Sequence, residues 1–205
     1  MKLIGLLSGG IDSAVALYLL KRQGAEITPV YFDLGQFSGE DTKKRTLQIA
    51  KKLGFKELIV IPHGEALAEF KEKADPRYTC VFCKRTMLRV ASMLAKELGA
   101  EALITGEALG QVASQTPENL RAESPASSVP VLRPLIGLNK SEIIEIAREI
   151  GTFETSTRRV ACCQAVPSKP ATRSSREQME AAEAKIGIET LASAALSKAQ
   201  RNVVK

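Results

Sequence analysis

Short apolar runs alternate with amphipathic stretches along the first 151 residues of this 205-residue chain. This alternation predicts a parallel β-sheet covered by helices, because parallel strands need a long crossover, usually a helix, between them. We expect strands at residues 3–7, 27–32, 58–61 and 102–105, with a fifth around 131–135. We expect helices at residues 13–23, 41–53, 84–98 and 141–150, each followed by a glycine, namely Gly24, Gly54, Gly99 and Gly151. The pattern indicates a doubly wound α/β fold, a mostly parallel sheet with helices on both faces, whose ligand site lies at the carboxyl ends of the strands.

The first predicted strand leads directly into residues 8–13, Ser-Gly-Gly-Ile-Asp-Ser, where the first predicted helix begins. Such a turn binds phosphate, because it leaves backbone N–H groups without partners and its glycines let an anion approach closely. A carboxylate beside a polyphosphate would be repelled, so we expect Asp12 to act with Mg²⁺ or to orient the reacting groups. The plainer alternative is a turn followed by a helix cap. The lysine-bearing GxxxxGK[ST] pattern is missing, which disfavours kinase or motor chemistry.

Composition sets broad limits on the function. The chain is 44% hydrophobic and 25% charged, as expected for one main globular domain. No stretch is long and apolar enough to span a bilayer and no signal region is recognisable, so we expect a cytoplasmic protein without a membrane partner. A net charge of +6 favours a polyanionic partner such as nucleic acid, although a solvated basic surface explains it equally well.

The four cysteines fall into two pairs, Cys80 with Cys83 as C-x-x-C and Cys162 beside Cys163. In a cytosolic protein this grouping favours metal, cluster or sulfur chemistry over structural disulfides. The residues alone leave four interpretations open. They are a zinc site, an iron–sulfur cluster with three thiolates and one open iron, a persulfide on one cysteine, and buried apolar residues without a chemical role.

Asp33 and His63 carry side chains that are common in functional sites. Asp33 ends the second predicted strand, which places it either near the predicted nucleotide or in a loop as an ordinary carboxylate. His63 is the chain's only histidine, and no partner is visible near it in the sequence, so we expect a structural role. No G-x-S-x-G segment occurs, which disfavours serine-hydrolase chemistry.

Residues 8–13 resemble the SGGxDS motif of the PP-loop ATP pyrophosphatases, which split ATP between its α and β phosphates and adenylate a substrate carbonyl. Later segments make the resemblance closer. They are residues 83–89 (CKRTMLR), 105–116 (TGEALGQVASQT), 133–135 with 139–142 (RPL and NKSE), and the cysteine pair before Lys169-Pro170. Together they resemble the catalytic domain of the tRNA 4-thiouridine synthetase family over nearly the whole chain.

The resemblance implies roles for particular residues of the nucleotide site. Leu6 and Leu7 would flank the adenosine through their backbone groups. The positions that match the family's phosphate loop or its ATP contacts are Ser8, Gly9, Gly10, Asp12, Ser13, Lys84, Gly106 and Gln115. Asp12 and Lys140 match residues needed for activity, and a lysine suits adenylation because negative charge builds up on the α-phosphate. Without the resemblance, Lys140 would be interpreted as a surface lysine at a helix start.

The resemblance also implies roles for the cysteines. Either Cys162 or Cys163 matches the family cysteine that carries or receives sulfur, and both remain candidates. Some family members, notably archaeal ones, bind an iron–sulfur cluster through a C-x-x-C and this later cysteine. Cys80, Cys83 and one of the adjacent pair reproduce that set of metal ligands, which implies a cluster rather than zinc.

The function implied is ATP- and Mg²⁺-dependent sulfur transfer to tRNA, in which a uridine carbonyl is adenylated and AMP is then displaced by sulfur. Full family members carry an N-terminal ferredoxin-like region and a THUMP domain that grip tRNA, and some carry a rhodanese domain. We therefore expect residues 1–170 to form the adenylating domain and 171–205 a helical extension, with tRNA gripped by a separate protein. A sulfide or persulfide carrier and a second copy of the chain are the other expected partners. The alternatives are adenylation of a small molecule with sulfide or ammonia, and a non-catalytic nucleotide- or cluster-binding subunit.

Overall fold

The computed structural model describes residues 1–110, 115–160 and 163–204. The strands are β1 (Lys2–Leu6), β2 (Glu26–Asp33), β3 (Glu57–Pro62), β4 (Ala102–Ile104), β5 (Val131–Leu132) and β6 (Gln200–Val203). The helices are α1 (Ile11–Arg22), α2 (Glu40–Lys52), α3 (Gly64–Lys73), α4 (Thr79–Leu98), α5 (Pro117–Glu123), α6 (Lys140–Glu149), α7 (Phe153–Thr157), α8 (Arg176–Ile186) and α9 (Ile188–Ser197). Short 3₁₀ turns lie at Gly35–Phe37, Pro76–Tyr78 and Ser124–Ala126.

Within the described residues the strands form one sheet in the order β5-β4-β1-β2-β3-β6. Every neighbouring pair is parallel except β3 with β6, which is antiparallel. The chain moves outward from β1 in one direction to β2 and β3, and later in the other direction to β4 and β5. The sheet therefore reverses its winding between β1 and β4, and a ligand crevice is expected at the carboxyl ends of these strands.

Helices cover both faces of the sheet, because successive strand residues point to opposite sides. Leu3 packs in a buried cluster with residues of α1 and α2, whereas the next residue, Ile4, packs in a second cluster with residues of α4 and α9. A third cluster joins α3, the first turns of α4 and α8 through Phe70, Phe82 and Met179. This third cluster lies against Cys83 and Cys163 and so supports the cysteine end of the molecule.

The predicted doubly wound α/β fold is confirmed, and each of the five predicted strands has a counterpart. The glycines predicted to end helices, Gly24, Gly54, Gly99 and Gly151, all have positive φ angles. Several elements differ from the prediction, since α3, α5 and α7 have no counterpart among the predicted helices. Helix α4 begins at Thr79 rather than at residue 84, and β6 pairs with β3 although its sequence, Gln-Arg-Asn-Val, is polar and largely exposed. Among the described residues, no helix combines the length and apolarity needed to cross a membrane.

Candidate functional site

The loop between β1 and α1 holds its shape through two serines. The hydroxyl of Ser13 accepts the N–H of Ser8 at 3.1 Å and donates to the carbonyl of Gly10 at 3.2 Å, while the hydroxyl of Ser8 accepts the N–H of Gly10 at 3.3 Å. Gly9 has φ +78°, and a Cβ there would lie 2.6 Å from Thr46 Oγ1. No side chain caps the start of α1 at Gly10. The loop therefore presents helix N-terminal N–H groups to an anion.

A cavity of about 300 Å³ lies at the carboxyl ends of β1, β2 and β4. The residues that line it are Leu6, Leu7, Ser8, Gly10, Asp12, Ser13, Val30, Tyr31, Phe32, Leu34, Ser38, Thr42, Lys84, Met87, Leu88, Thr105, Gly106, Glu107 and Gln115. The structure thus brings together every residue assigned to ATP from the sequence except Gly9, which lies in the loop but not among the lining residues. The assignment itself stays a prediction. Apolar strand ends and Met87 form one wall, which suits the face of a purine ring, and the loop forms another.

Lys140 and Asp12 meet at the entrance of α1 although 128 residues separate them. Lys140 Nζ lies 2.5 Å from Asp12 Oδ1, and both side chains remain partly exposed. Helix α6 is capped by Asn139, whose side chain accepts the N–H of Glu142, while the side chain of Glu142 accepts the N–H of Asn139. This capping box fixes the first residue of α6, Lys140, beside the phosphate loop.

Asp33 does not line the cavity that was predicted to hold the nucleotide. Its Oδ1 accepts the N–H of Gly35 at 3.0 Å, and Asp33 is not among the residues that line the cavity. The carboxylate therefore acts as a turn cap, which was the alternative interpretation.

A buried ionic network positions Lys84 in the cavity. Its other members, among them Glu107 and Arg133, are not among the site residues predicted from the sequence. Glu107 accepts from Lys84 Nζ at 2.7 Å, from Arg133 Nε at 2.6 Å and from Thr105 Oγ1 at 3.0 Å. Burial opposes ionisation of Glu107, but Lys84 and Arg133 outweigh it and lower its pKa to about 2. Glu107 and Arg133 lie in the TGEALG and RPL segments that resemble the family, and this resemblance is the sequence feature that could have identified them.

Glu123, the last residue of α5, completes this network from a position that no motif marks. It is fully buried, and its Oε2 lies 3.8 Å from Lys84 Nζ. Burial raises the pKa of Glu123 to about 9, and the neighbouring Glu107 adds to the rise against the opposing effect of Lys84. At neutral pH Glu123 is therefore protonated and hydrogen-bonds to the ionised Glu107.

Helix α4 carries Cys80 and Cys83 in its first turns, and Cys163 lies near both. Burial raises the pKa of the Cys80 and Cys83 thiols, and proximity to Cys163 raises both further. These three cysteines are free of disulfides, and Cys162 lies outside the described residues. Among the residues that the structure describes, no group of three or more His, Cys, Asp or Glu side chains is arranged to hold a metal ion. The cluster and zinc assignments are therefore still predictions.

His63 has a partner that its sequence position did not reveal. Its Nε2 lies 3.3 Å from Cys83 Sγ, and its ring packs edge-on against Phe32. The side chain is 1% exposed, and burial lowers its pKa to about 4, so the ring is neutral at physiological pH. A buried, neutral histidine in contact with Cys83 agrees with the structural role expected from the sequence, and its contact places it beside the candidate cysteine ligands.

Comparison with known proteins assigns the family. A family model described as thiamine biosynthesis protein (ThiI) matches residues 1–188. The chain belongs to the ThiI family. Probable tRNA sulfurtransferases from Methanosarcina mazei and Thermococcus kodakarensis are 40% and 44% identical to it, over 97% and 86% of this chain. The chain spans about half the length of these curated relatives, 51% and 48%.

Solved structures agree with this assignment to the ThiI family. A 4-thiouridine synthetase in complex with RNA and bound ATP is 35% identical to this chain, with a TM-score of 0.94, covering 100% of this chain and 55% of its own. NMN synthetase from Francisella tularensis has a TM-score of 0.60 at 15% identity, covering 93% of this chain and 85% of its own. At that identity the second likeness concerns the fold alone.

Proposed function

We propose that the chain is a cytoplasmic, ATP-dependent sulfurtransferase that acts on a uridine carbonyl of tRNA. The observation that carries this proposal is the position of the phosphate loop between two cavities. The nucleotide cavity lies on one side, and a second cavity, which Cys163 lines, shares Ser8 with it. An adenylation step at the carbonyl oxygen and a sulfur step at the carbonyl carbon can therefore act on the same carbonyl group of the acceptor. The names of the similar proteins, tRNA sulfurtransferase and 4-thiouridine synthetase, support the same chemistry.

In the first step the uridine oxygen attacks the α-phosphorus of ATP and pyrophosphate leaves. The loop N–H groups and the two serine hydroxyls hold the phosphates, and Lys140 stabilises the charge that develops on them. Asp12 fits a Mg²⁺ ion bound with ATP, because Mg²⁺ in proteins takes one or two carboxylates together with phosphate oxygens and offsets their charge. The buried network of Glu107, Glu123 and Arg133 holds Lys84 at the nucleotide.

In the second step hydrosulfide attacks the adenylated carbon, the carbon–oxygen bond breaks and AMP leaves with its oxygen. Because hydrosulfide supplies sulfur at the oxidation state of the product, this route needs no reductant. Cys80, Cys83 and one of Cys162 and Cys163 are the proposed ligands of an iron–sulfur cluster, and clustered thiols have the right chemistry for it. The described side chains are not assembled as a metal site, and the sulfur step above uses free hydrosulfide.

The test is an anaerobic reaction of the protein with a tRNA transcript, ATP, Mg²⁺ and sulfide. We expect AMP, pyrophosphate and thiolated uridine in equal amounts, with mass spectrometry of the digested nucleosides identifying the product. AMP formation that occurs with small acceptors but never depends on RNA would contradict the tRNA assignment.

Asp12→Asn provides the accompanying variant, since it keeps the size of the side chain but removes its charge. Turnover should fall by at least about tenfold while the melting temperature changes little, because Asp12 is partly exposed and serves the reaction. Asp41→Asn is the matched control. The Asp41 side chain is 76% exposed in α2, and its ion pair with Lys44 is long, at 3.8 Å. Unchanged AMP formation by Asp12→Asn would remove the proposed role of this carboxylate.

A further inference from the structure

A second cavity, of about 480 Å³, lies beside the phosphate loop. The residues that line it are Ser8, Leu34, Ser38, Thr42, Arg45, Ser156, Thr157, Arg158, Arg159, Val160 and Cys163. The first four of these also line the nucleotide cavity. The two cavities therefore meet along one shared wall, and a ligand in the second cavity can touch the reacting end of a nucleotide in the first.

The chemistry of this second cavity is cationic and rich in hydroxyl groups. Three arginines line it, Arg45, Arg158 and Arg159, and none of its described lining residues is a carboxylate. Arg45 contacts the end of α7 and the residue that follows it, because its Nη1 donates to the carbonyls of Ser156 at 3.3 Å and Arg158 at 3.1 Å. Arg158 and Arg159 are exposed, so their guanidinium groups are accessible to a ligand.

Two hydroxyls supply an independent sign of a ligand. Thr42 Oγ1 and Ser156 Oγ are buried, yet neither has a hydrogen-bond partner within the described part of the chain. Buried polar groups are almost always hydrogen-bonded, so each of these two hydroxyls needs a partner such as a water, an ion or a polar group of a ligand. The partner these hydroxyls lack would lie beside the three arginines.

We infer that this second cavity is the acceptor site and that it binds the sugar–phosphate backbone of RNA on either side of the reacting uridine. The inference rests on the proposed function and specifies its substrate contacts. Arginine side chains pair with phosphodiester oxygens through their planar, two-pronged donors, and the orphaned hydroxyls bind ribose or phosphate oxygens. The base then points toward the shared wall, where its carbonyl reaches the α-phosphate at Ser8 and faces Cys163.

Free pyrophosphate has the same anionic chemistry and is the other source to consider. RNA is favoured because Cys163 lies in this cavity, so the acceptor carbon must come here to meet sulfur. Pyrophosphate instead leaves from the loop, which faces the nucleotide cavity.

The test compares Arg158→Ala, Arg159→Ala and the double variant with wild type in the thiolation assay. Because both side chains are exposed, these variants should fold normally. Arg201→Ala is the charge-matched control, since Arg201 is exposed on β6, pairs with Glu57 and lines neither cavity. We expect the KM for RNA to rise about tenfold for each cavity arginine removed, with the affinity for ATP unchanged.

Salt dependence gives a second measurement. The slope of log K for RNA binding against log salt concentration should be less steep in the double variant by about 1.4. Two phosphate contacts are lost, and each contact to a single strand contributes about 0.7. An unchanged KM and slope, in a wild-type protein that thiolates RNA, would overturn the acceptor assignment and leave the proposed function standing. Variants that weaken inhibition by pyrophosphate but leave the KM for RNA unchanged would overturn it in favour of a leaving-group site. A wild-type protein that thiolates no RNA would instead refute the proposed function.

Discussion

Gly106 follows β4 and packs against the first turn of α1, and we predict that Gly106→Ala weakens ATP binding. A Cβ at this position would lie 2.6 Å from Ser13 N, 2.7 Å from Ser13 Cα and 2.8 Å from the carbonyl carbon of Asp12. All three are backbone atoms of the helix that follows the phosphate loop, so no side-chain rotation relieves the overlap. Gly106 does not have a positive φ, so the effect is one of space rather than of backbone conformation.

The size of the effect follows from the overlap. Ordinary contacts of a Cβ begin at 3.4 Å, so the start of α1 must retreat by about 0.8 Å. Overpacking of this kind costs about 1–3 kcal/mol. Because the displaced atoms follow directly from the phosphate loop, we expect that cost to appear in ATP affinity, as a loss of roughly 5- to 150-fold.

Isothermal titration with ATP and thermal unfolding together measure this prediction. Gly137→Ala is the neutral control, because nothing lies within 4 Å of the added Cβ. Gly5→Ala is the control for stability, because its Cβ would meet Leu17 Cγ at 2.8 Å in the core rather than at the loop. If Gly106→Ala bound ATP as wild type does, or lost no more affinity than Gly5→Ala, the steric reasoning would be wrong.

Two further predictions concern Glu123 and the cysteines. The pKa of Glu123 is raised to about 9 in the folded protein, so its contribution to stability is complete below the unfolded value of about 4.5 and is lost as pH rises toward 9. Glu123→Gln cannot titrate, and urea unfolding should show a stability that falls less steeply between pH 5 and 9, by up to about 1.4 kcal/mol per pH unit. Anaerobic wild-type protein should be brown and contain iron and sulfide. The variants Cys80→Ala and Cys83→Ala should be colourless but still bind ATP. Comparison of Cys162→Ala with Cys163→Ala should identify the third ligand. Colourless wild-type protein with one equivalent of zinc would contradict the cluster.

The predicted parts of the fold are those whose signal is local. Apolar runs predicted the first five strands, because burial on both faces of a parallel sheet leaves such runs. Amphipathic runs that end at a glycine predicted α1, α2, α4 and α6, whereas α3, α5 and α7 have no predicted counterpart. Strand β6 was not predicted because it is a polar edge strand, and its pairing with β3 depends on residues about 140 positions away. The predicted helix misses the first turn of α4, which carries the cysteine motif and places Cys80 and Cys83 one turn apart on one face.

The candidate site divides in the same way. The phosphate loop is one contiguous segment, so its motif was recognisable from the sequence. The contact of His63 with Cys83, the protonation of Glu123 and the arginine-lined cavity each depend on segments that only the fold brings together. No spacing pattern connects such residues, and their chemistry depends on burial, which sequence shows only indirectly.

Helix α4 fixes the spacing between the cysteine side of the site and the nucleotide cavity. Its adjacent residues Cys83 and Lys84 face different partners, His63 on the sulfur side and Glu107 on the nucleotide side. The next residue, Arg85, is fully buried and donates to both carboxylate oxygens of Glu183 in α8, at 2.6 and 2.8 Å. This two-pronged contact ties α4 to α8, and removing one partner would leave an uncompensated buried charge. Because one rigid helix carries both contacts, the spacing between the sulfur chemistry and the nucleotide is set by the helix rather than by the surrounding loops.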